Sequence, residues 1–437
     1  MRARSVVAVA VVVWASLAVR SSRAAPGADG RPNILLIMSD DQRFDTMSYM
    51  PHTKASVFDA GISFSRCYST TALCNPSRES VLTGQYAHNH RSLNNWTRPL
   101  PQSTVVEWLH NAGYFTGLVG KYLNTSDGMP RPEFDYWVSH FDGGVDYYSP
   151  RLNVNGEWIR PVGYVTTIER DYVLDFLSRA AQQDKPFFLI YTPNAPHFPA
   201  EPARGDEWLY FFQPPFRPPN FNETDVSDKP LWIQRRGKLG SLGRWFSDHT
   251  RLKMLQTLHS LDLAVDSVVS DLGSRGWLDN TFVMYLSDNG YFWGEHRLLT
   301  KDRVYEEAHR IPCAVRYPPL VAVPRQEDGL TANIDLAPTF CDLARVPIPA
   351  TVNGRSLLPL LSETGSWRED LLLEGFSQPT YAAIESGQYV YVENTGDQSE
   401  LYDLLSDPYQ LTSQQDNALY STLIDQLRVR LQQLKAE

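Results

Sequence analysis

Four continuous runs of apolar residues, with helical patterns between them, constrain most strongly how this chain can fold. The runs read NILLIM (33–38), FTGLVG (115–120), PFFLIYT (186–192) and TFVMYLS (281–287). Such runs are typical of strands that are covered on both faces. Helical patterns lie between them, one opening at Thr166 with Glu169 as a capping box, and one extending from about Asp248 to Leu272. Strands that alternate with helices predict an α/β fold with a mainly parallel sheet flanked by helices.

The order of these features along the sequence predicts three segments. Residues 1–25 combine two early arginines, Arg2 and Arg4, with a short apolar run and small residues, as a secretory signal peptide does. The apolar run is shorter than the roughly 20 residues that span a bilayer, and an uncleaved signal anchor is the alternative. We expect a main catalytic domain over residues 26–345 and a small antiparallel subdomain over residues 346–437. The mature protein is then secreted, lysosomal or periplasmic.

Composition excludes some classes of function. The formal net charge of -10 and the pI near 5.5 argue against a nucleic-acid partner, which would require a basic face. No second apolar stretch is long enough for a stable membrane span. Cysteines are too few for a disulfide scaffold, the four being Cys67, Cys74, Cys313 and Cys341. Three sequons could carry glycans in a eukaryotic host, at Asn95, Asn124 and Asn222.

Polar residues directly follow each of the four apolar runs. In parallel sheets the carboxyl ends of the strands lie at one edge, where active sites gather. Two adjacent aspartates and an Asp-Asn pair offer the hard oxygen ligands that Ca²⁺ prefers. Each feature alone also fits an ordinary turn or loop. Together they predict a site formed by Asp40, Asp41, Lys121, His197, Asp288 and Asn289.

A further motif surrounds one of the cysteines. The stretch Cys74-Asn75-Pro76-Ser77-Arg78, continuing to Leu82-Thr83-Gly84, resembles the type I sulfatase signature Cys-x-Pro-Ser-Arg-x-x-x-Leu-Thr-Gly. Three other stretches are similar to that family's blocks, namely RPNILLIMSDDQR, YLSDNGYFWGEHRLLTKDRVYEEAHRIP and ELYDLLSDPYQLTS. The resemblance extends from about Arg31 to about Ser413. It implies an alkaline-phosphatase-like fold and the hydrolysis of sulfate esters, an activity of the EC 3.1.6 type.

The resemblance also implies a modification of Cys74. In type I sulfatases a formylglycine-generating enzyme oxidises this cysteine to formylglycine (3-oxoalanine), whose hydrate is the nucleophile. A thiolate that attacked sulfur would leave a stable adduct, whereas a geminal diol can attack through one hydroxyl and expel sulfate with the other. An oxygen nucleophile also suits Ca²⁺ better than a thiolate does. We therefore expect Cys74 to be a precursor, and a disulfide with Cys67 is the alternative.

Roles for the remaining residues follow from the same resemblance. Arg78 would neutralise charge on the nucleophile, and Lys121 and Lys301 would bind the sulfate group. His197 would contact sulfate and protonate the leaving alcohol. Ca²⁺ would be held by Asp40, Asp41, modified Cys74, Asp288 and Asn289.

One position departs from the family's pattern. Most members carry a histidine where this chain has Leu123, so the general base stays open, and His296 is a further candidate. The run Gly-Lys-Tyr-Leu-Asn resembles sulfatases that act on glucosamine 6-sulfate groups of glycosaminoglycans. We therefore expect 6-O-sulfated N-acetylglucosamine as substrate, with an unglycosylated Asn124 facing the site. The alternatives are an arylsulfatase of other specificity, a phosphonate or phosphate monoester hydrolase, and a carbohydrate-binding protein with unmodified Cys74.

Overall fold

The computed structural model describes residues 30–98 and 102–437, and the predicted signal peptide lies outside these ranges. Within the described ranges, no helix combines the length and the apolar character that a membrane crossing requires.

The strands of the described residues are, in chain order, β1 (Asn33–Ser39), β2 (Ile62–Phe64), β3 (Cys67–Tyr68), β4 (Phe115–Gly120), β5 (Tyr136–Ser139), β6 (Leu152–Val154), β7 (Glu157–Ile159), β8 (Phe187–Thr192), β9 (Thr281–Ser287), β10 (Phe292–Trp293), β11 (Leu299–Thr300), β12 (Cys313–Arg316), β13 (Arg325–Glu327), β14 (Thr331–Ala332), β15 (Leu371–Gly375), β16 (Tyr381–Glu385), β17 (Tyr389–Asn394) and β18 (Glu400–Asp403).

The helices are α1 (Pro51–Thr53), α2 (Cys74–Thr83), α3 (Ala87–His90), α4 (Val105–Asn111), α5 (Val165–Ala180), α6 (Leu231–Gln234), α7 (Ser241–Ser274), α8 (Glu306–His309), α9 (Leu336–Ala344), α10 (Leu358–Leu361) and α11 (Ser421–Leu434). Short 3-10 or π-helical segments lie at Phe44–Tyr49, Lys54–Phe58, Leu278–Asn280, Asn333–Asp335 and Ala418–Tyr420.

The central sheet has the order β13-β2-β12-β9-β1-β8-β4-β5-β6-β7. Its five middle strands, from β9 to β5, are parallel, and the four apolar runs of the sequence are four of them. Strands β15 to β18 form a separate antiparallel sheet near the C-terminus. The predicted α/β class, with a mainly parallel sheet and a small C-terminal antiparallel one, is confirmed. The boundary at residue 345 stays a prediction.

The edges of the main sheet are mixed rather than parallel. Strand β12 runs antiparallel to β9, and β5, β6 and β7 are joined by antiparallel pairing. The β6–β7 hairpin turns through Asn155 and Gly156, which both have positive φ angles, 50° and 102°. Asn-Gly is a strong signal for such a two-residue hairpin because both residues tolerate the left-handed region.

Two helix starts differ from the predictions. Helix α5 begins at Val165 with Tyr164 at the N-cap, so Thr166 and Glu169 do not form the expected capping box. The side chain of Glu169 is fully buried instead, and this burial raises the pKa of its carboxyl to about 8. Helix α7 begins at Ser241, seven residues before the predicted start at Asp248.

Apolar side chains fill both faces of the main sheet. In β1, Leu35 and Ile37 join one buried cluster, whereas Ile34 and Leu36 join the cluster on the other face. This alternation follows from the two-residue period of a strand, and each such side chain contributes about 1.5–3 kcal/mol when it is fully buried. A third cluster joins the C-terminal sheet and α11 to Phe292 and other residues of the main domain.

A glycine at the end of β4 is required for this arrangement. Gly120 has a φ angle of 109°, and a Cβ atom there would lie 2.1 Å from the carbonyl oxygen of Thr192. We expect Gly120→Ala to lower the free energy of unfolding by at least about 2 kcal/mol, because it adds a backbone collision to an unfavourable φ angle. Urea denaturation measures this loss.

Gly113 provides the matched control. Its φ angle is 88°, but a Cβ atom there would meet nothing within 4 Å. Gly113→Ala should therefore lower the free energy of unfolding by only about 1–2 kcal/mol, the cost of a left-handed backbone conformation for alanine. Equal losses for the two variants would show that the contact with Thr192 does not constrain the strand end.

Candidate active site

Side chains from four neighbouring strand ends converge at one edge of the main sheet. Asp40 and Asp41 follow β1, and Asp288 and Asn289 follow β9, which pairs with β1 along its whole length. Asp41 has a φ angle of 68°, a left-handed conformation that aspartate tolerates, and its N–H donates to Asp288 Oδ1 at 3.0 Å. The turn after β1 thereby brings consecutive carboxylates into one site. Lys121 follows β4 in the same way.

Helix α2 brings Cys74 to this edge. Cys74 is the first residue of the helix, after Leu73 at the N-cap, and all ten helical residues are buried. Gly84 directly follows the helix, and its φ angle of 70° is typical of a glycine that terminates a helix. Ser77 Oγ donates to the carbonyl oxygen of Asp288 at 2.5 Å, which joins the helix to the end of β9.

Three cations pair with the three carboxylates of the site among the described residues. Lys121 Nζ lies 2.7 Å from Asp40 Oδ2, and Arg78 Nε lies 2.8 Å from Asp288 Oδ2. Lys301 Nζ contacts Asp41 Oδ1. Arg78 and Lys121 are both essentially inaccessible to solvent. Their charges are therefore stabilised by the paired carboxylates rather than by water.

Burial and the charges around Cys74 lower the reactivity of its thiol. Its Sγ lies 2.7 Å from Lys301 Nζ and 3.4 Å from Asp40 Oδ1. Burial raises the pKa of the Cys74 thiol, and the charges of Asp288 and Asp40 raise it further, against the smaller effect of the lysines. An unmodified Cys74 is therefore a protonated thiol at neutral pH and a poor nucleophile.

Asp40 and Asp288, whose charges both act on Cys74, respond oppositely to the same environment. Burial favours the neutral form of Asp40, but Lys121, His197 and Arg78 together hold its pKa well below the ordinary value. The pKa of Asp288 is raised by burial and by the charge of Asp40.

The cluster has the composition of a site for a hard cation. Ligand atoms of Asp40, Asp41, Cys74 and Asp288 all lie within 4.8 Å of one another. Asn289 adds a buried Oδ1 with no hydrogen-bond partner, while its Nδ2 donates to Asp41 Oδ1. Four residues with oxygen donors, one of them an amide oxygen left without a partner, fit Ca²⁺.

His197 reaches the site from the loop after β8. Its Nε2 lies 3.8 Å from Asp41 Oδ2, and its Nδ1 lies 2.7 Å from the carbonyl oxygen of Phe198. Because a carbonyl oxygen can only accept, Nδ1 carries a hydrogen, and Nε2 is the nitrogen that faces the carboxylates.

Other candidates from the sequence lie at different distances from this centre. Leu123 is buried in an apolar cluster and offers no acid–base group. Asn124 is half-buried beside the start of α2, where its N–H donates to Asn75 Oδ1 at 2.9 Å. Its predicted contact with sulfate stays a prediction. His296 is fully buried with Nδ1 at 2.8 Å from Glu223 and Nε2 at 3.2 Å from Asn220, so we assign it a structural role.

The cysteines of the chain all lie among the described residues, and none of them forms a disulfide. The structure thus gives no support to a bridge between Cys74 and Cys67.

One histidine near the site was not predicted. His140 follows β5, the strand next to β4, and its buried Nε2 has no hydrogen-bond partner. Burial and, to a smaller extent, the charge of Lys121 lower the pKa of His140 to about 4. The signal was present in the sequence, because His140 directly follows a short strand pattern, Tyr-Trp-Val-Ser, just as Lys121 follows its own strand.

Comparisons with known proteins agree with this geometry. Residues 32–346 match the family described as Sulfatase, and residues 294–437 match the one described as N-sulphoglucosamine sulphohydrolase, C-terminal. The chain belongs to the sulfatase family. The resemblance inferred from the sequence motifs is confirmed.

Individual relatives extend the comparison. The chain is 33% identical over 376 residues to the extracellular sulfatase SULF-1 homolog of Drosophila melanogaster, covering 79% of this chain but only 33% of that protein. It is 33% identical over 395 residues to the N-acetylglucosamine-6-sulfatase of Homo sapiens, covering 82% of this chain and 70% of that protein. A solved structure in complex with its substrate D-glucosamine-2-N,6-O-disulfate matches with a TM-score of 0.83 at 26% identity, covering 93% of this chain and 98% of that one.

The cation site can be tested without measuring activity. We expect Ca²⁺ to raise the midpoint of thermal unfolding relative to protein treated with a chelator, because a ligand that binds the folded state stabilises it. Asp288→Asn should abolish this increase, since it removes one carboxylate from the cluster. Differential scanning fluorimetry across a Ca²⁺ titration measures the effect.

Asp279→Asn is the matched control. Asp279 is 80% exposed and pairs with Arg316, away from the cluster, so its variant should keep the full Ca²⁺-dependent increase. A normal increase in Asp288→Asn would contradict the assignment of the cation site.

Proposed function

We propose that this sulfatase hydrolyses sulfate esters through a nucleophile made from Cys74, and that its substrates carry 6-O-sulfate on N-acetylglucosamine units. The observation that supports this most strongly is the position of Cys74, whose Sγ is 2.7 Å from Lys301 Nζ and 3.4 Å from Asp40 Oδ1. A nucleophile at this point lies beside a cation that can hold an anionic ester and beside a carboxylate that can help to hold Ca²⁺.

Conversion of Cys74 to formylglycine accounts for the chemistry of its surroundings. In the structure Sγ stands for the oxygen of the hydrated aldehyde, which supplies the nucleophile. The thiol itself is held protonated by burial and by neighbouring carboxylates, whereas an oxygen nucleophile next to hard ligands is chemically consistent. A formylglycine-generating enzyme is thus a required partner during maturation.

The cations of the site bind the sulfate group and offset the charge that develops on it. Lys121 and Lys301 donate to the sulfate oxygens, and Arg78, one helical turn after Cys74, balances charge on the nucleophile. Ca²⁺, held by Asp40, Asp41, Asp288, Asn289 and the modified Cys74, would polarise the sulfate when it is bound.

His197 is the residue best placed to protonate the leaving alcohol. Its Nδ1–H is held by the carbonyl of Phe198, so the proton that is transferred must come from Nε2, the nitrogen that faces the site. Sugar alcohols are poor leaving groups, and general acid catalysis of this kind typically contributes a factor of about 10²–10⁴.

A cavity next to His197 supports a sugar as the substrate. It has a volume of about 390 Å³, within the range of small-molecule sites. The two residues after His197 form part of its wall, and the lining residues are His140, Phe141, Gly144, Val145, Asp146, Arg151, Phe198 and Pro199. The human relative, named for N-acetylglucosamine 6-sulfate, and the complex with a glucosamine disulfate also support this substrate class.

Export of the protein stays a prediction that rests on residues 1–25. It agrees with the name of the Drosophila relative, an extracellular sulfatase. Glycosylation at the sequons is equally untested, although Asn222 already uses its amide, since Nδ2 donates to Leu239 O and Oδ1 accepts from Leu239 N.

The nucleophile is tested by substitution of Cys74. Cys74→Ala should remove turnover of 6-O-sulfated N-acetylglucosamine while the midpoint of thermal unfolding stays close to that of the wild type, because a buried thiol is replaced by a smaller apolar group. Mass spectrometry of the wild-type peptide that contains Cys74 should show formylglycine. Turnover that survives in Cys74→Ala would refute the mechanism.

The substrate class is tested by rates on matched esters. The wild type should prefer the 6-O-sulfated sugar to a small aryl sulfate, and the sulfate ester of an alcohol to the phosphate ester of the same alcohol. A faster rate on the phosphate ester would instead favour a phosphate monoester hydrolase. A preference for the aryl sulfate would indicate a sulfatase of other specificity.

Asn124 supplies a further test of the proposed substrate. Loss of a polar contact in a closed site costs about 1–3 kcal/mol, so Asn124→Ala should slow turnover of the sulfated sugar roughly ten- to a hundredfold. A wild-type rate for this variant, or a glycan found on Asn124 by mass spectrometry, would exclude its proposed role.

A further inference from the structure

Three tyrosine hydroxyls donate hydrogen bonds to the backbone of the loop that carries His197. This loop, residues 194–202, follows β8 and has little regular structure of its own. Tyr147 Oη donates to the carbonyl oxygen of His197 at 2.7 Å. Tyr164 Oη donates to Glu201 O at 2.9 Å, and Tyr148 Oη donates to Pro202 O at 2.8 Å.

Tyr147 contacts the backbone of His197 itself, the proposed general acid. Its hydroxyl also approaches the carbonyl oxygen of Asn194, at 3.4 Å, so one donor contacts both sides of the turn that presents His197. Within that turn, the N–H of His197 donates to Asn194 O at 2.9 Å. The backbone of His197 is therefore held from within the loop and from Tyr147.

The ring of His197 is fixed by a second contact. Its Nδ1 donates to Phe198 O at 2.7 Å, which sets the ring orientation relative to the backbone. With the backbone and the ring both fixed, Nε2 is held 3.8 Å from Asp41 Oδ2. A small displacement of the His197 carbonyl would move Nε2 by a similar distance, and proton transfer requires contact at about 2.6–3.2 Å.

Tyr147 is suited to this task because it is rigid and stays a donor. It is 1% exposed, and its ring lies 5.8 Å from that of Tyr164. Burial raises the pKa of its phenol well above the ordinary value, so the hydroxyl keeps its proton over the working range of pH.

Removal of the hydroxyl should leave the fold intact. The carbonyl oxygen of His197 also accepts from the N–H of Ala200 at 2.9 Å, so it keeps a partner when Tyr147 becomes phenylalanine. The consequence of the change is a less constrained histidine rather than an unsatisfied buried group.

We propose that Tyr147 is a positioning residue for His197, and that its buried hydroxyl holds Nε2 where it can protonate the leaving alcohol. This inference rests on the proposed role of His197 as the general acid. It assigns to Tyr147 a function in catalysis that lies outside the signature around Cys74.

The test uses the dependence of the rate on the leaving group. A good leaving group such as 4-nitrophenol departs without protonation, whereas the 6-hydroxyl of a sugar needs an acid. Tyr147→Phe should lower kcat/KM on 6-O-sulfated N-acetylglucosamine by about 3- to 10-fold, the loss of one hydrogen bond, and should change the rate on 4-nitrophenyl sulfate by less than about 2-fold. The midpoint of thermal unfolding is measured in parallel and should stay close to that of the wild type.

Two further variants make the result decisive. His197→Ala should show the same selectivity with a larger loss on the sugar. Tyr148→Phe removes an equivalent hydrogen bond to the same loop, at Pro202, and should leave the ratio of the two rates as in the wild type.

The outcomes separate this inference from the proposed function. If His197→Ala lowers both rates equally, His197 is not the general acid and the proposed mechanism is wrong. If His197→Ala is selective but Tyr147→Phe is not, or if Tyr148→Phe matches Tyr147→Phe, the positioning role of Tyr147 is overturned and the role of His197 stands.

Discussion

The balance of buried charge at the carboxyl ends of β1 and β9 is the constraint on which the rest of the site depends. Asp40, Asp41 and Asp288 are withdrawn from water, and Lys121, Arg78 and Lys301 compensate them at close range. Removal of one partner from a buried pair commonly costs about 3–5 kcal/mol, because the other charge is left without compensation. The elements that carry these residues are therefore coupled. A shift of α2 would displace Arg78 and Cys74 together, and a shift of β4 would displace Lys121.

This coupling explains why the nucleophile position is so closely defined. Cys74 begins α2, Ser77 joins the helix to the end of β9, and Arg78 reaches Asp288 from one turn further along. The same short helix thus supplies the reacting atom, a link to the strand and a compensating charge. By contrast, His197 comes from a loop, and its position depends on tyrosine hydroxyls and on backbone contacts rather than on regular structure.

The sequence predicted the central part of the fold well because buried parallel strands are recognisable as continuous apolar runs. Asp40, Lys121 and Asp288 could then be assigned to one edge, since the ends of neighbouring parallel strands meet there. The antiparallel edges were harder, because β6 and β7 are three residues each and are exposed in part. His140 and Tyr147 were missed for a related reason. The importance of Tyr147 comes from its hydrogen bond to His197, and that of His140 from its burial near the charge of Lys121, and both are created only by the fold.

The capping box predicted at Thr166 fails for the same physical reason. Local sequence favoured it, but Glu169 is buried by tertiary packing near Asn194 and Asp40, and a local preference worth about 1 kcal/mol cannot outweigh such packing. Local signals are thus most dependable where the surrounding structure makes no competing demand on the same side chain.

A crystal structure of an active preparation grown with Ca²⁺ would test the proposed nucleophile and the cation site together. We expect an oxygen-bearing formylglycine side chain at position 74 and a cation bound by Asp40, Asp41, Asp288 and Asn289. Lys121 and Lys301 should remain within reach of the same centre. An intact cysteine thiol at position 74 in protein that turns over the sulfated sugar, or a cation bound elsewhere, would contradict it.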